Sequence, residues 1–243
     1  MTFVKWFKAF KTLVLPMTIL WIGACASLTD DFSGKHGVTA PAHSASEGSE
    51  KIRTVAVLDF IEEKTAKPSN EPAICRITGL AFAPGTVEDG SGEVVADNFR
   101  GALGKLGYAA LTREETLEAL KKFPAPGDDN FVAVAAEVGK ALGVEAVVVG
   151  SVMRYEDRVG GKYIADKPAS VAFSVAVINP ADGKITWKAK FDKTQQSLFS
   201  DLTDYKTFFK GGMVWQTASQ LASLGVENIL SQSPFHPVTE KGR

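Results

Sequence analysis

Three carboxylates, Asp59, Glu62 and Glu63, fall together where the first apolar segment of the chain ends, and they are the cluster whose types and spacing best suit chemistry. At the carboxyl end of a strand in an open α/β sheet such a rim can hold a cation or a small ligand. A solvated strand end is the plainer reading of the same three residues. Acid–base or nucleophilic catalysis asks for more. The histidines, His36, His43 and His236, all lie in segments without apolar periodicity, so neither a Ser-His-Asp nor a Cys-His arrangement has a histidine on a rigid element. The same shortage leaves a His/Cys zinc site without enough ligands. "DGSGEV", residues 89–94, places two glycines before a helix and invites comparison with a phosphate loop, but it fits neither the dinucleotide fingerprint nor the Walker pattern. A non-enzymatic protein with no metal site and no dissociable cofactor is expected.

A second set of candidates is aromatic. Phe208, Phe209 and Trp215 flank "KGGMV", and Trp187 and Phe191 share a strand face with Ala189. Packing against the sheet accounts for such residues; exposed, Phe208, Phe209 and Trp215 would serve as anchors for a protein partner, because interfaces favour Trp and other large side chains at their centres.

The remaining reactive residue is Cys25. Residues 1–11 carry Lys5, Lys8 and Lys11 and no acid, and the apolar run that follows is too short, and too interrupted by Pro16, for the roughly 20 residues of a spanning helix. Where that run ends, Ile22, Gly23, Ala24 and Cys25 resemble the lipobox of bacterial lipoproteins. The resemblance implies cleavage before Cys25, a diacylglyceryl thioether on its sulfur and an acyl chain such as palmitate on the new amino group. Ile22, Gly23 and Ala24 would then be the signal-peptidase recognition residues. Two or three chains anchor a protein firmly where one does so only marginally. The competing reading is an uncleaved anchor. Ala26 and Ser27 lack the aspartate that commonly retains lipoproteins in the inner membrane, which favours the outer membrane with the folded domain in the periplasm.

The elements that position these residues follow from pattern. The expected organisation is a signal peptide over residues 1–24, a lipidated tether over 25–52, an α/β domain over 53–231 and a loose tail over 232–243. The tether is rich in Ser, Gly, Ala and acids and as a coil of about 25 residues reaches roughly 28 Å. Removing residues 1–24, which hold three lysines and no acid, moves the formal charge from -1 to -4, so nucleic acid is not an expected partner. Cys75, the thiol left over, is expected to be buried rather than disulfide-bonded.

"RTVAVLDF" reads as a strand covered on both faces. Residues 61–87 form a long loop with a short strand near "ITGLAF". Val94, Val95, Phe99, Leu103 and Leu106 mark a helix stopped by Gly107. Thr112 and Glu115 form a capping box for a second helix, and a third runs from about 130 to Gly143. Three apolar strands follow, the last two joined by "NPADG". Thr217 and Gln220 cap a final helix that Gly225 is expected to break. The fold expected is α/β (α+β): one domain with a mixed sheet, helices packed on it and an antiparallel meander in its second half.

"VAVLDF", "LGKLGYAALTREE" and "ALGVEAVVVGSVMRYED" together resemble bacterial envelope lipoproteins of the CsgG, LpoB and TolB amino-terminal type over roughly residues 53–193. That resemblance implies a lipid-anchored binding or assembly module with an envelope protein partner. The CsgG branch implies instead a homo-oligomeric secretion channel, and the Asp59/Glu62/Glu63 rim leaves a small-ligand binder or enzyme as a further alternative.

Overall fold

The computed structural model describes residues 52–64, 71–125, 130–195 and 214–238. The lipobox residues Ile22, Gly23, Ala24 and Cys25, the tether, and Phe208 and Phe209 lie outside them.

The first strand, β1 (Thr54–Val57), is built from small and β-branched residues that are buried on both faces beyond Thr54, because it sits inside the sheet. It pairs in parallel with β5 (Ala109–Ala110) and with β6 (Ala146–Glu156). From β6 the sheet continues antiparallel through β9 (Ser170–Asn179) to β10 (Lys184–Thr194), giving the order β10-β9-β6-β1-β5. A parallel first half and an antiparallel meander are thus both present. The apolar run expected as one strand over 53–60 ends sooner, and β2 (Ile61–Glu62) resumes pairing farther along β6. Within the expected long loop, β3 (Ala73–Ile74) and β4 (Ala81–Phe82) form a small hairpin.

Helices cover both faces. α1 (Ser91–Lys105) and α4 (Ala218–Leu230) pack against Val55, Val57, Val148, Phe173 and Val175. α2 (Arg113–Leu120) and α3 (Phe131–Leu142) cover Ala56, Val147, Val149 and Ile178. The β3–β4 hairpin completes the second face over Met153 and Ala172, and there Cys75 is fully buried with its sulfur 3.0 Å from the Ser174 hydroxyl. Both capping boxes form as read: Thr112 with Glu115, and Thr217 with Gln220.

Two expectations need correction. Gly225 does not break the last helix, since α4 runs through it to Leu230. A Cβ at this position would lie 2.7–2.9 Å from the Phe191 ring, so glycine is there to let helix and sheet approach. The tail is also not loose over its described part. Phe235 is buried and stacks edge-on against Tyr108 at 5.2 Å, the Tyr108 hydroxyl donates to the His236 carbonyl at 2.9 Å, and Val238 N–H donates to the Leu106 carbonyl at 2.9 Å. An aromatic anchor and hydrogen bonds such as these hold it, without any periodicity a sequence could display.

Candidate functional site

The three rim carboxylates do not converge on a shared point. Asp59 accepts from Arg100 Nη2 at 2.9 Å and from Arg113 Nη2 at 2.8 Å and Nε at 2.9 Å. Arg100 Nη2 also donates to the Val57 carbonyl at 2.8 Å, so this carboxylate ties α1 and α2 to the end of β1. Glu62 accepts the Gly92 N–H at 3.2 Å and pairs with Lys64 at 3.1 Å. Glu63 faces Arg76 at 3.7 Å. Among the described residues no group of three His, Cys, Asp or Glu is placed to hold a metal ion.

The role of "DGSGEV" follows from the same contacts. Gly90 takes a left-handed φ of 81° to start α1, and a Cβ at Gly92 would overlap the Phe60 carbonyl. The bare backbone so exposed is the anion-favouring end of a helix, and Glu62 of the chain itself occupies it.

Burial raises the Asp59 carboxyl, but the Arg113 and Arg100 guanidiniums outweigh it and hold the group below its ordinary value. Burial also raises Glu62, and the Gly92 N–H and Lys64 again bring it below. Both groups therefore release protons on folding. Their contribution is complete above the unfolded carboxylate range near pH 4 and is lost as pH falls through the lower folded values. Urea unfolding measured between pH 7 and pH 3 is expected to show a stability loss that Asp59→Asn makes shallower; an unchanged slope would contradict this assignment.

A buried ion pair went unseen in the sequence. Between Val152, opposite Phe173, and Arg154, opposite Ala172, the β6–β9 register slips by one residue. That bulge turns Arg154 onto the face of Ser170 and Asp192. Arg154 donates to Asp192 at 2.6 Å, to the Ser170 hydroxyl at 2.6 Å and to the Ala83 carbonyl at 3.1 Å, with Arg154 and Asp192 only 6% and 7% exposed. A Cβ at Gly85 would overlap the Arg154 side chain. A cationic residue late in a long apolar strand was the available signal.

The exposed large apolar side chains concentrate elsewhere. Between β7 (Val159–Gly160) and β8 (Ala165–Lys167) a hairpin projects with Val159 55%, Tyr163 76% and Ile164 79% exposed. Its tip is braced. Gly160 has a φ of 106°, and Gly161 N–H donates to the Ile164 carbonyl at 2.8 Å. Trp215 N–H donates to the Lys162 carbonyl at 2.9 Å, and the Arg158 guanidinium donates to the Trp215 carbonyl. Trp215 is half-buried and hydrogen-bonded to the tip, so this expected partner-binding aromatic, alone of the three among the described residues, is seen beside an exposed apolar surface. Gln195 fixes this arrangement from below, donating to the Val214 carbonyl at 3.0 Å and accepting the Gln216 N–H at 2.7 Å.

A groove of about 470 Å³ runs between α1, α4 and residues 235–237. Gly101, Ala102, Leu106, Val226, Leu230 and Phe235 line it, with Lys105 and Glu227 on its lips.

No protein-family model matches the sequence, and no curated protein matches it. Solved structures do resemble the fold. The PelC dodecamer from Paraburkholderia phytofirmans is 15% identical, with 84% of this chain and 99% of that one covered at a TM-score of 0.47. Lipoprotein GNA1162 from Neisseria meningitidis is 13% identical, covering 65% and 96% at 0.38, and the LpoB C-terminal domain from Salmonella enterica is 11% identical, covering 61% and 87% at 0.38. The chain is a mixed-sheet α/β domain with helices on both faces by its own strand order.

Proposed function

We propose that this chain is a lipid-anchored, non-enzymatic binding module of the bacterial envelope, held at the inner face of the outer membrane by diacylglyceryl and acyl chains on Cys25. The domain stands in the periplasm on its tether and recognises a protein partner through the β7–β8 tip. The observation that carries the reading is that Tyr163 and Ile164 stay exposed on a tip fixed by its own hydrogen bonds and by Trp215. A rigid apolar projection loses little conformational entropy on docking, and Tyr is among the residues enriched where interfaces concentrate their binding energy. A role in binding rather than catalysis is supported by the carboxylates, since Asp59, Glu62 and Glu63 each face a basic residue of the chain itself.

The test is crosslinking in intact cells with the full-length chain and with a Tyr163→Ala/Ile164→Ala variant. Reproducible adducts that disappear in the variant, at equal membrane abundance, are expected. The same adducts in both chains would remove the tip from the binding surface.

A further inference from the structure

The sheet has one long open edge. β5, on one side, is two residues long, whereas β10 on the other runs for 11 residues and pairs, among the described residues, with β9 alone. Gln195 N–H donates to the Ala169 carbonyl at 2.9 Å, one step beyond the pairing of Thr194 with Ser170. Antiparallel ladders alternate between bonded and non-bonded pairs, so the N–H and C=O groups of Lys188, Lys190, Asp192 and Thr194 point away from β9. Main-chain groups directed outward in this way are a template for a further strand.

We infer that this edge takes an extended acidic segment of a partner protein as an added strand, with carboxylates two residues apart set against Lys188 and Lys190. The surface is separate from the β7–β8 tip and goes beyond the role given to it.

Charge selects the occupant. The charged residues of β10 are Lys184, Lys188, Lys190, Asp192 and Lys193. Lys184 pairs with Asp182 at 3.6 Å, Asp192 is committed to Arg154, and Lys193 follows Asp192 on the opposite face. Lys188 and Lys190 share one face and lean on the β3–β4 hairpin. There they donate to neutral atoms, the Thr78 carbonyl at 2.7 Å and the Ala81 carbonyl at 2.9 Å, and Lys190 Nζ lies 5.3 Å from the centre of the Phe82 ring. The hairpin itself brings Arg76, which already faces Glu63. An ammonium has three N–H donors, so each lysine keeps donors for a carboxylate.

The same two lysines tell against a second copy. Antiparallel pairing of β10 with itself, centred anywhere on residues 188–190, sets Lys188 against Lys190 or one of them against its own counterpart. Like charges directly opposite destabilise a sheet, and lysines on an edge guard it from self-association. A segment with acids at alternate positions meets no such repulsion. Between those positions its side chains fall on the other face, beside half-buried Trp187, which favours apolar residues there.

The experiment follows residue-resolved hydrogen exchange of the full-length chain in detergent micelles, with a short synthetic peptide alternating glutamate and valine as the probe. The N–H groups of Lys188, Lys190 and Asp192 are expected to exchange at least about tenfold more slowly with the peptide than without it, and those of Ala189 and Phe191, already bonded to β9, to change little. A lysine–valine peptide, and the glutamate–valine peptide N-methylated on its ladder-forming side, are expected to give no protection. Lys188→Glu/Lys190→Glu is expected to reverse the preference, and this gain of binding to the lysine–valine peptide is a result that a misfolded chain does not give. No protection by the acidic peptide on the unsubstituted chain overturns the proposal and leaves the lysines as guards only. Equal protection by the lysine–valine peptide overturns the charge selection, and equal protection by the N-methylated one overturns the added strand. Protection without any peptide also overturns it: independent of concentration, it places a segment of the same chain on the edge, and rising with concentration, a second copy. Tyr163→Ala/Ile164→Ala is expected to leave the peptide's effect unchanged, so the edge and the tip are tested separately.

Discussion

Alanine at Asp192 is expected to destabilise the folded domain by about 3–5 kcal/mol, the range for removing one partner of a buried ion pair. The carboxylate is 2.6 Å from Arg154 Nη2, and both side chains are more than nine-tenths buried. Without it the guanidinium keeps, among the described residues, the Ser170 hydroxyl and the Ala83 carbonyl, both neutral, for a charge already withdrawn from water. Those contacts also fasten residues 83–85 over β6, β9 and β10, so the loop is expected to loosen with the sheet edge. Urea unfolding at neutral pH measures the loss. The same reasoning predicts that Arg154→Met/Asp192→Leu recovers most of it, because no unpaired charge remains. A single substitution costing under about 1 kcal/mol would show that water reaches the pair.

Cys25→Ala is expected to abolish labelling by palmitate and the lipid-dependent anchoring, with the unfolding midpoint of the domain unchanged. A residual single chain would give only marginal binding, on the order of 10⁴ M⁻¹, so the effect is close to all-or-none. Fractionation after radiolabelling decides it. Palmitate labelling that persists in the variant would overturn lipidation at Cys25 and select the uncleaved-anchor reading of residues 1–24 in the unsubstituted chain. Since Cys25 precedes the described domain, intact folding is part of the expected result rather than an added condition.

Strand composition and helix caps were legible because their causes are local. Thr112 and Thr217 each need only the residue three positions later to close a capping box. "NPADG" needs only its own chemistry to turn β9 into β10. The candidate site was legible only as positions: Asp59, Glu62 and Glu63 stand at the expected strand end, but their partners Arg100, Gly92 and Arg76 come from elsewhere in the chain. Gly225 misled for the converse reason. Glycine is a helix breaker by local propensity, and here the Phe191 ring, from another element, sets the requirement.

By itself the amino-acid sequence determined the fold class: a domain whose apolar periods alternate between strand and helix, with turn and capping residues between them. Those features are written in neighbouring residues. Only the tertiary structure decided that the acidic rim is internally neutralised, that a one-residue slip aims Arg154 at Asp192, and that Phe235 closes a groove on α1 and α4. It also decided that Tyr163 and Ile164, ordinary in sequence, stand on a braced tip. Each of these depends on which distant residues share a face, a register or a water-excluded space, and local pattern does not encode distance across the fold.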